Sequence, residues 1–137
     1  MDKKPDLNTV QFTLGTSASA STIVRENNTA KTIKSGSLDV LATPMMIALM
    51  EEAACACLED GLERGQTSVG TELIVAHTAA SPLGAEITAT ATIESVSGRK
   101  IGFILTAKDK AGEIGKGKHT RVIIDAEQFM NKTKTRL

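Results

Sequence analysis

The stretch from Thr43 to Gly65, TPMMIALMEEAACACLEDGLERG, constrains what this chain can fold into more than any other. It reads as one long helix. Thr43 is placed to cap the first turn, and Pro44 suits the first helical position, where no N–H is needed. Gly65 stands where a left-handed C-terminal residue is wanted, and Arg64 complements the negative helix end. From Met45 to Leu58 only Glu51 and Glu52 are charged. A helix this apolar is expected in the middle of a domain. Glu52 shares a stripe with Ala56, Glu59 and Glu63 and is expected in solvent. Glu51 shares a stripe with Ile47, Cys55, Leu58 and Leu62. A carboxylate there is costly unless a partner holds it. A structural ion pair or a half-exposed edge would account for it equally well.

After Gly65 the period changes from helical to alternating. Thr67 to Ala80 is rich in β-branched residues, and Ser81-Pro82-Leu83-Gly84 is a turn. In Ala85 to Val96, Ile87, Ala89, Ala91 and Ile93 alternate with Thr88, Thr90, Thr92 and Glu94, as in a half-buried strand. Strands are also expected over Ile101 to Lys108 and Glu113 to Ile124, with a short helix from Asp125. Ahead of the helix, two strand-like stretches, Thr9 to Leu14 and Thr22 to Val24, flank a small polar patch, and Glu26 to Ser37 reads as a loop. The order is strand, loop, long helix, then four strands joined by short turns, which makes the strands antiparallel neighbours. One helix against a curved antiparallel sheet is an α+β architecture, expected as a single domain over residues 1–137. A single helix covers one sheet face only, so a two-fold dimer is expected to bury the remainder.

Composition excludes several classes of function. Lys plus Arg and Asp plus Glu are 16 each, so there is no electrostatic case for nucleic acid or a membrane surface. Trp and Tyr are absent, which removes the usual base-stacking platforms. The polar start Met1 to Pro5 does not read as a secretory signal, and no segment reaches the ~18 apolar residues of a membrane span. The two cysteines, Cys55 and Cys57, point roughly 200° apart on a helix and cannot pair with each other. They read as core thiols in a reducing cytoplasm.

Two histidines remain. His77 lies in Val75-Ala76-His77-Thr78, inside an apolar strand, where it is either a satisfied core residue or a catalytic one. His119, in Gly115-Lys116-Gly117-Lys118-His119-Thr120, sits beside charges and reads as a surface residue. The glycines at 115 and 117 mark a bulge or a close backbone approach. No zinc spacing, Gly-x-Ser-x-Gly elbow or dinucleotide motif is present, and neither metal nor cofactor is expected.

The order of residues carries more than any one of them. Leu41-Ala42-Thr43, Met50-Glu51 eight residues on, Gly70-Thr71, Ala76 to Gly84, and Gly117-Lys118-His119-Thr120-Arg121 form a series. With the strand order, it resembles the hotdog-fold thioesterases, and specifically the fluoroacetyl-CoA thioesterase-like branch, from about Leu38 to near Asn131. Val69-Gly70-Thr71 followed by His77-Thr78-Ala79-Ala80 and Pro82 is the most specific part. The resemblance implies a hotdog fold and a catalytic set of Thr43, Glu51 and His77. It implies that Gly70 contacts the thioester and that Arg121, with His77, helps hold the substrate. It also implies an acyl-CoA substrate and a homodimer with both active sites at the interface. The loop Ser35 to Val40 lacks the aromatic residues that members specialised for the fluorinated substrate place there, so a general short acyl-CoA is expected instead.

The residue chemistry suits that expectation. Thioester hydrolysis needs an activated nucleophile, a proton shuttle and a donor for the developing oxyanion. Glu51 can hold His77 in the tautomer that accepts a proton, and His77 can activate water or Thr43. Glu51 can also attack directly. Gly70 lets its N–H come close to a carbonyl. A plain helix cap also explains Thr43. Two other functions fit the same fold: a non-catalytic acyl-CoA binding module and an enoyl-CoA hydratase. For the coenzyme phosphates, Arg99, Lys100, Lys116 and Lys118 are all candidates.

Overall fold

The structure is a computed structural model that describes residues 11–137. Thr9 and Val10 of the expected first strand, and the polar start Met1 to Pro5, lie outside the described residues. The elements run β1 (Ser17–Ile23), a 3-10 turn (Glu26–Asn28), α1 (Ala30–Ile33), α2 (Thr43–Leu58), a second 3-10 turn (Glu59–Gly61), β2 (Gln66–His77), β3 (Glu86–Ser97), β4 (Lys100–Asp109), β5 (Gly112–Asp125) and α3 (Ala126–Lys134). The strands form one sheet in the order β1-β3-β4-β5-β2, and every pair is antiparallel. None of these helices is long and apolar enough to cross a membrane.

Helix α2 lies across this sheet. Its inward side is Met46, Leu49, Met50, Ala53, Ala54, Cys57 and Leu58, all buried. Facing it are Ile87, Ala89, Ala91 and Ile93 of β3 and Ile101, Phe103, Leu105 and Ala107 of β4. Alanines in the centre of β3 let the helix approach closely. Each large aliphatic side chain buried here stabilises the fold by about 1.5–3 kcal/mol. Glu52 is exposed, as its stripe requires, but Cys55 is exposed as well, while Ile47 and Glu51 are half-buried. The Ile47–Glu51–Cys55 stripe is therefore the margin of the helix, and Cys57 alone is the core thiol.

Three sequence expectations are corrected. The helix ends at Leu58 rather than Gly65, because the chain ahead of β1 folds back over its end. Phe12 is buried there, the Gln11 Nε2–H donates to the Gly61 carbonyl at 2.7 Å, and a side chain at Gly61 would collide with both residues. Residues 11–14 accordingly form a bend and a turn, not a strand. The small polar patch that follows is itself the strand β1. Its alanines face inward, and its serines pair with threonines of β3 on the outer face: Ser17 with Thr92 at 3.1 Å, Ser19 with Thr90 at 2.8 Å and Ser21 with Thr88 at 3.1 Å.

Strand β2 is an edge. It is twelve residues long, and it leaves Leu73 37% and Ile74 68% exposed. A long edge strand with apolar side chains and an open row of backbone groups invites pairing with another chain.

Candidate active site

Thr43 opens α2, yet it does not cap it. The residue in the capping position is Ala42, which has no side chain to donate or accept. The Thr43 hydroxyl instead meets His77 Nδ1 at 2.7 Å, across from the last residue of β2. The sequence expectation that Thr43 caps the helix is thus corrected by the histidine, which takes the hydroxyl. His77 Nε2 is buried and has no hydrogen-bond partner among the described residues. A cleft of about 270 Å³ opens at this pair, between Ser35, Val40 and Leu41 on one side and Thr78, Ala79 and Ala80 on the other. Both walls are pinned. The Leu41 N–H donates to the Ser81 carbonyl at 2.9 Å, the buried Ser81 hydroxyl donates to Asp109 at 2.7 Å, and the Thr78 N–H donates to the Ile114 carbonyl at 2.7 Å. The Ser81 hydroxyl holds the Asp109 carboxyl below the usual aspartate range.

A second polar group lies two turns further along α2, about 12 Å from Thr43 by helix rise. Here Arg121 Nη1 donates to Glu51 Oε2 at 3.1 Å, its Nε donates to the Ser68 hydroxyl at 2.8 Å, and its Nη2 donates to the Ser68 carbonyl at 3.1 Å. Arg121 is 7% exposed. Gly70 lies directly beneath. A Cβ at position 70 would stand 2.9 Å from Glu51 Oε2, 3.0 Å from His119 Cε1 and 3.3 Å from Arg121 Nη1. The glycine is there to admit the carboxylate. Gly70→Ala should therefore displace it and lower kcat by about tenfold or more, with circular dichroism unchanged. Unaltered turnover in steady-state assays would show that this carboxylate position is unimportant.

His119 corrects the sequence expectation of a surface residue. It is 2% exposed and stacks on Phe103 with ring centroids 5.9 Å apart. Nδ1–H donates to the Glu72 carbonyl at 2.8 Å, and Nε2 accepts from Arg121 Nη1 at 3.1 Å. With both nitrogens so used the ring is neutral, and its 3.8 Å approach to Glu51 is not an ion pair. Burial, reinforced by Arg121, pushes the imidazole below the ordinary value of 6.5, against the opposing pull of the Glu72 carbonyl and Glu51. The folded value lies below the unfolded one, so this group's contribution to stability is complete above pH 6.5 and is lost as pH falls below it.

The structure thus brings Thr43 to His77, and Glu51 to Gly70 and Arg121. Among the described residues no hydrogen bond joins Glu51 to His77. His119 and Ser68 were missed in the sequence. Alternation gave a signal for the first: Gly115, Gly117, His119, Arg121 and Ile123 fall on one face of β5, with Lys116, Lys118 and Thr120 on the other. The two lysines point away from the helix, into an apolar groove on the outer sheet face, where Lys118 meets Glu94 at 3.6 Å.

A long helix laid on a five-stranded antiparallel sheet is the arrangement of the hotdog fold. Comparison with known proteins narrows this. The family described as fluoroacetyl-CoA-specific thioesterase matches residues 24–127. The fluoroacetyl-CoA thioesterase of Streptantibioticus cattleyicolor is 42% identical over 96 residues, which are 70% of this chain and 69% of that one. A solved structure of the fluoroacetyl-CoA thioesterase FlK superposes with a TM-score of 0.87 at 32% identity, covering 92% of this chain and 98% of the other. A hot-dog-like protein from Thermanaerovibrio acidaminovorans follows at 0.84 and 26%, covering 93% and 94%. The chain belongs to the fluoroacetyl-CoA-specific thioesterase family. It has the hotdog fold and is a thioester hydrolase.

Proposed function

We propose that this protein hydrolyses short-chain acyl-CoA thioesters through Thr43, His77 and Glu51, at two sites shared between the subunits of a homodimer. The observation that carries the reading is the division of the set within one chain. Thr43 and His77 are hydrogen-bonded to each other, while Glu51 waits beside Gly70, seven residues before His77 in β2. Two copies joined along that exposed edge reunite them. A two-fold axis between Leu73 and Ile74 sets Gly70 of one copy opposite the partner subunit's His77. It thereby brings a carboxylate to the unpartnered Nε2.

The chemistry then follows from the tautomer. With Nε2–H donating to Glu51, Nδ1 is left as a base and accepts the Thr43 proton. Either the threonine oxygen attacks the thioester carbonyl and water then hydrolyses the resulting acyl-threonine, or a water aligned by Thr43 attacks the carbonyl directly. His77 returns the proton to the departing thiolate of coenzyme A. The Gly70 N–H and the Arg121 guanidinium supply positive character for the developing oxyanion. Arg121 also holds Glu51 in place.

Substrate class is read from the cleft. Ala79, Ala80, Val40 and Leu41 offer a small apolar surface suited to a short acyl chain, and Ser35 to Val40 puts no aromatic residue over it. A solved relative was captured with fluoroacetate and coenzyme A, which supports the coenzyme as the leaving group here. A general short acyl group is proposed in place of the fluorinated one. We place the enzyme in the cytoplasm, in keeping with two free cysteines. A panel of acyl-CoAs of increasing length, followed by thiol release, tests the reading. The expected result is a maximum of kcat/KM at the shortest chains. No release above background from any chain, or a preference for long ones, would overturn it.

A further inference from the structure

We infer that His119 is a positioning residue for the reaction: its unprotonated Nε2 accepts from Arg121 Nη1, and so fixes the guanidinium that holds Glu51 above Gly70. The inference rests on the proposed role of Glu51. It goes further by giving a purpose to a buried imidazole that the mechanism itself does not use.

Three observations converge. The first is hydrogen-bond direction. The Glu72 carbonyl can only accept, so His119 Nδ1 must carry the proton, and Arg121 can only donate, so Nε2 must be the lone pair. The two bonds leave one protonation state of the ring. The second is placement. Nη1 has two protons, and these are the two it gives, one to His119 Nε2 at 3.1 Å and one to Glu51 Oε2 at 3.1 Å. The acceptor on the ring therefore determines where the other proton points. The third is anchorage. His119 stacks on Phe103 from β4, and it is tied to β2 at Glu72, where the register shifts next to Gly70. One ring thus links β4, the irregular part of β2 and the arginine.

The charged groups facing the ring are Arg121 from its own strand and Glu51 from α2. From β2 it meets the Glu72 carbonyl, and from β4 the uncharged Phe103. A proton added at Nε2 would remove the acceptor and oppose Arg121. Nη1 would lose half of its hydrogen-bond geometry, and Glu51 would have two competing donors in place of one.

Variants of single length difference test this. His119→Asn keeps an amide near the Glu72 carbonyl but falls short of Arg121. His119→Gln extends an amide oxygen to it. Asparagine should lower kcat by about tenfold with KM little changed, and glutamine should recover kcat to within about threefold of the parent. In a Glu51→Gln background, His119→Asn should have almost no further effect, since the carboxylate it served is gone. A role confined to packing would lower kcat alike in both backgrounds and would not distinguish the two amides; either result overturns the inference. Should Glu51→Gln itself leave turnover intact, the fault would lie with the active-site proposal. Side-chain 15N NMR of the unaltered protein gives a reading free of folding effects. His119 should appear as the neutral Nδ1–H tautomer throughout the pH range of full activity, and an Nε2–H tautomer or an imidazolium there would also overturn the inference.

Discussion

His77→Gln should lower kcat by about 10³-fold and leave the thermal midpoint close to that of the parent protein. Loss of activity is expected because the glutamine amide cannot take the Thr43 proton and return it to a thiolate. Loss of stability is not expected. Among the described residues the only hydrogen bond the ring makes within its own chain is to Thr43, and Nε2 has no partner in that chain. A glutamine amide can still meet the Thr43 hydroxyl or donate toward the partner's Glu51, so the exchange takes little from the fold. The measurement is thiol release at saturating acyl-CoA, with calorimetry on the same preparation. A variant that retains most of its kcat would remove His77 from the mechanism. One that unfolds would make it a packing residue.

The second large effect concerns the pairing of copies. His77→Ala and Glu51→Gln should each be nearly inactive alone. Unfolded together and refolded as a mixture, they should recover about a quarter of the parent activity. Half of the dimers are then mixed, and each mixed dimer holds one site with both residues intact. Two sites that each lay within a single chain would recover nothing, so mixing separates the arrangements without any structure of the pair. A companion variant, Ile74→Asp, puts a charge in the middle of the exposed edge. It should elute as a monomer in size-exclusion chromatography and lose turnover together with association. A monomer that still turns over at the full rate would refute the shared site.

The parts of this architecture that were legible in the sequence are those fixed by a period. Residues of α2 that face the sheet repeat at helical spacing, and Ile87 to Ile93 alternate strictly against threonine, so both elements follow from the side chains alone. Boundaries set by distant contacts were not legible. Gly65 has the expected positive φ, 84°, but uses it in the turn before β2, because the helix had already ended at Leu58, where Phe12 packs against Gly61. Strand β1 was hidden for a related reason. Ser-Ala-Ser-Ala-Ser has weak strand preference, and it is held by the hydroxyls of a strand about 70 residues away in sequence.

The site divides in the same way. Thr43 and His77 were grouped in the sequence only through the family resemblance, and the fold brings them within hydrogen-bond distance. Glu51 was recognised as a carboxylate needing a partner, and the partner within the chain is Arg121. His119 was read as a surface residue because lysines and glycines surround it. Its burial depends on the inward row of β5 passing under α2, where Gly115 and Gly117 make room for Met46 and for the β2 backbone. That is a tertiary effect, invisible to local composition.

The absence of a side-chain cap on α2 has a practical consequence. The hydroxyl at the head of the helix is engaged outside it, so the atoms that make bonds break are not those that keep the chain folded. An enzyme silenced at Thr43 by alanine would accordingly keep its shape and its cleft. It would be the form in which an intact thioester can be caught and seen.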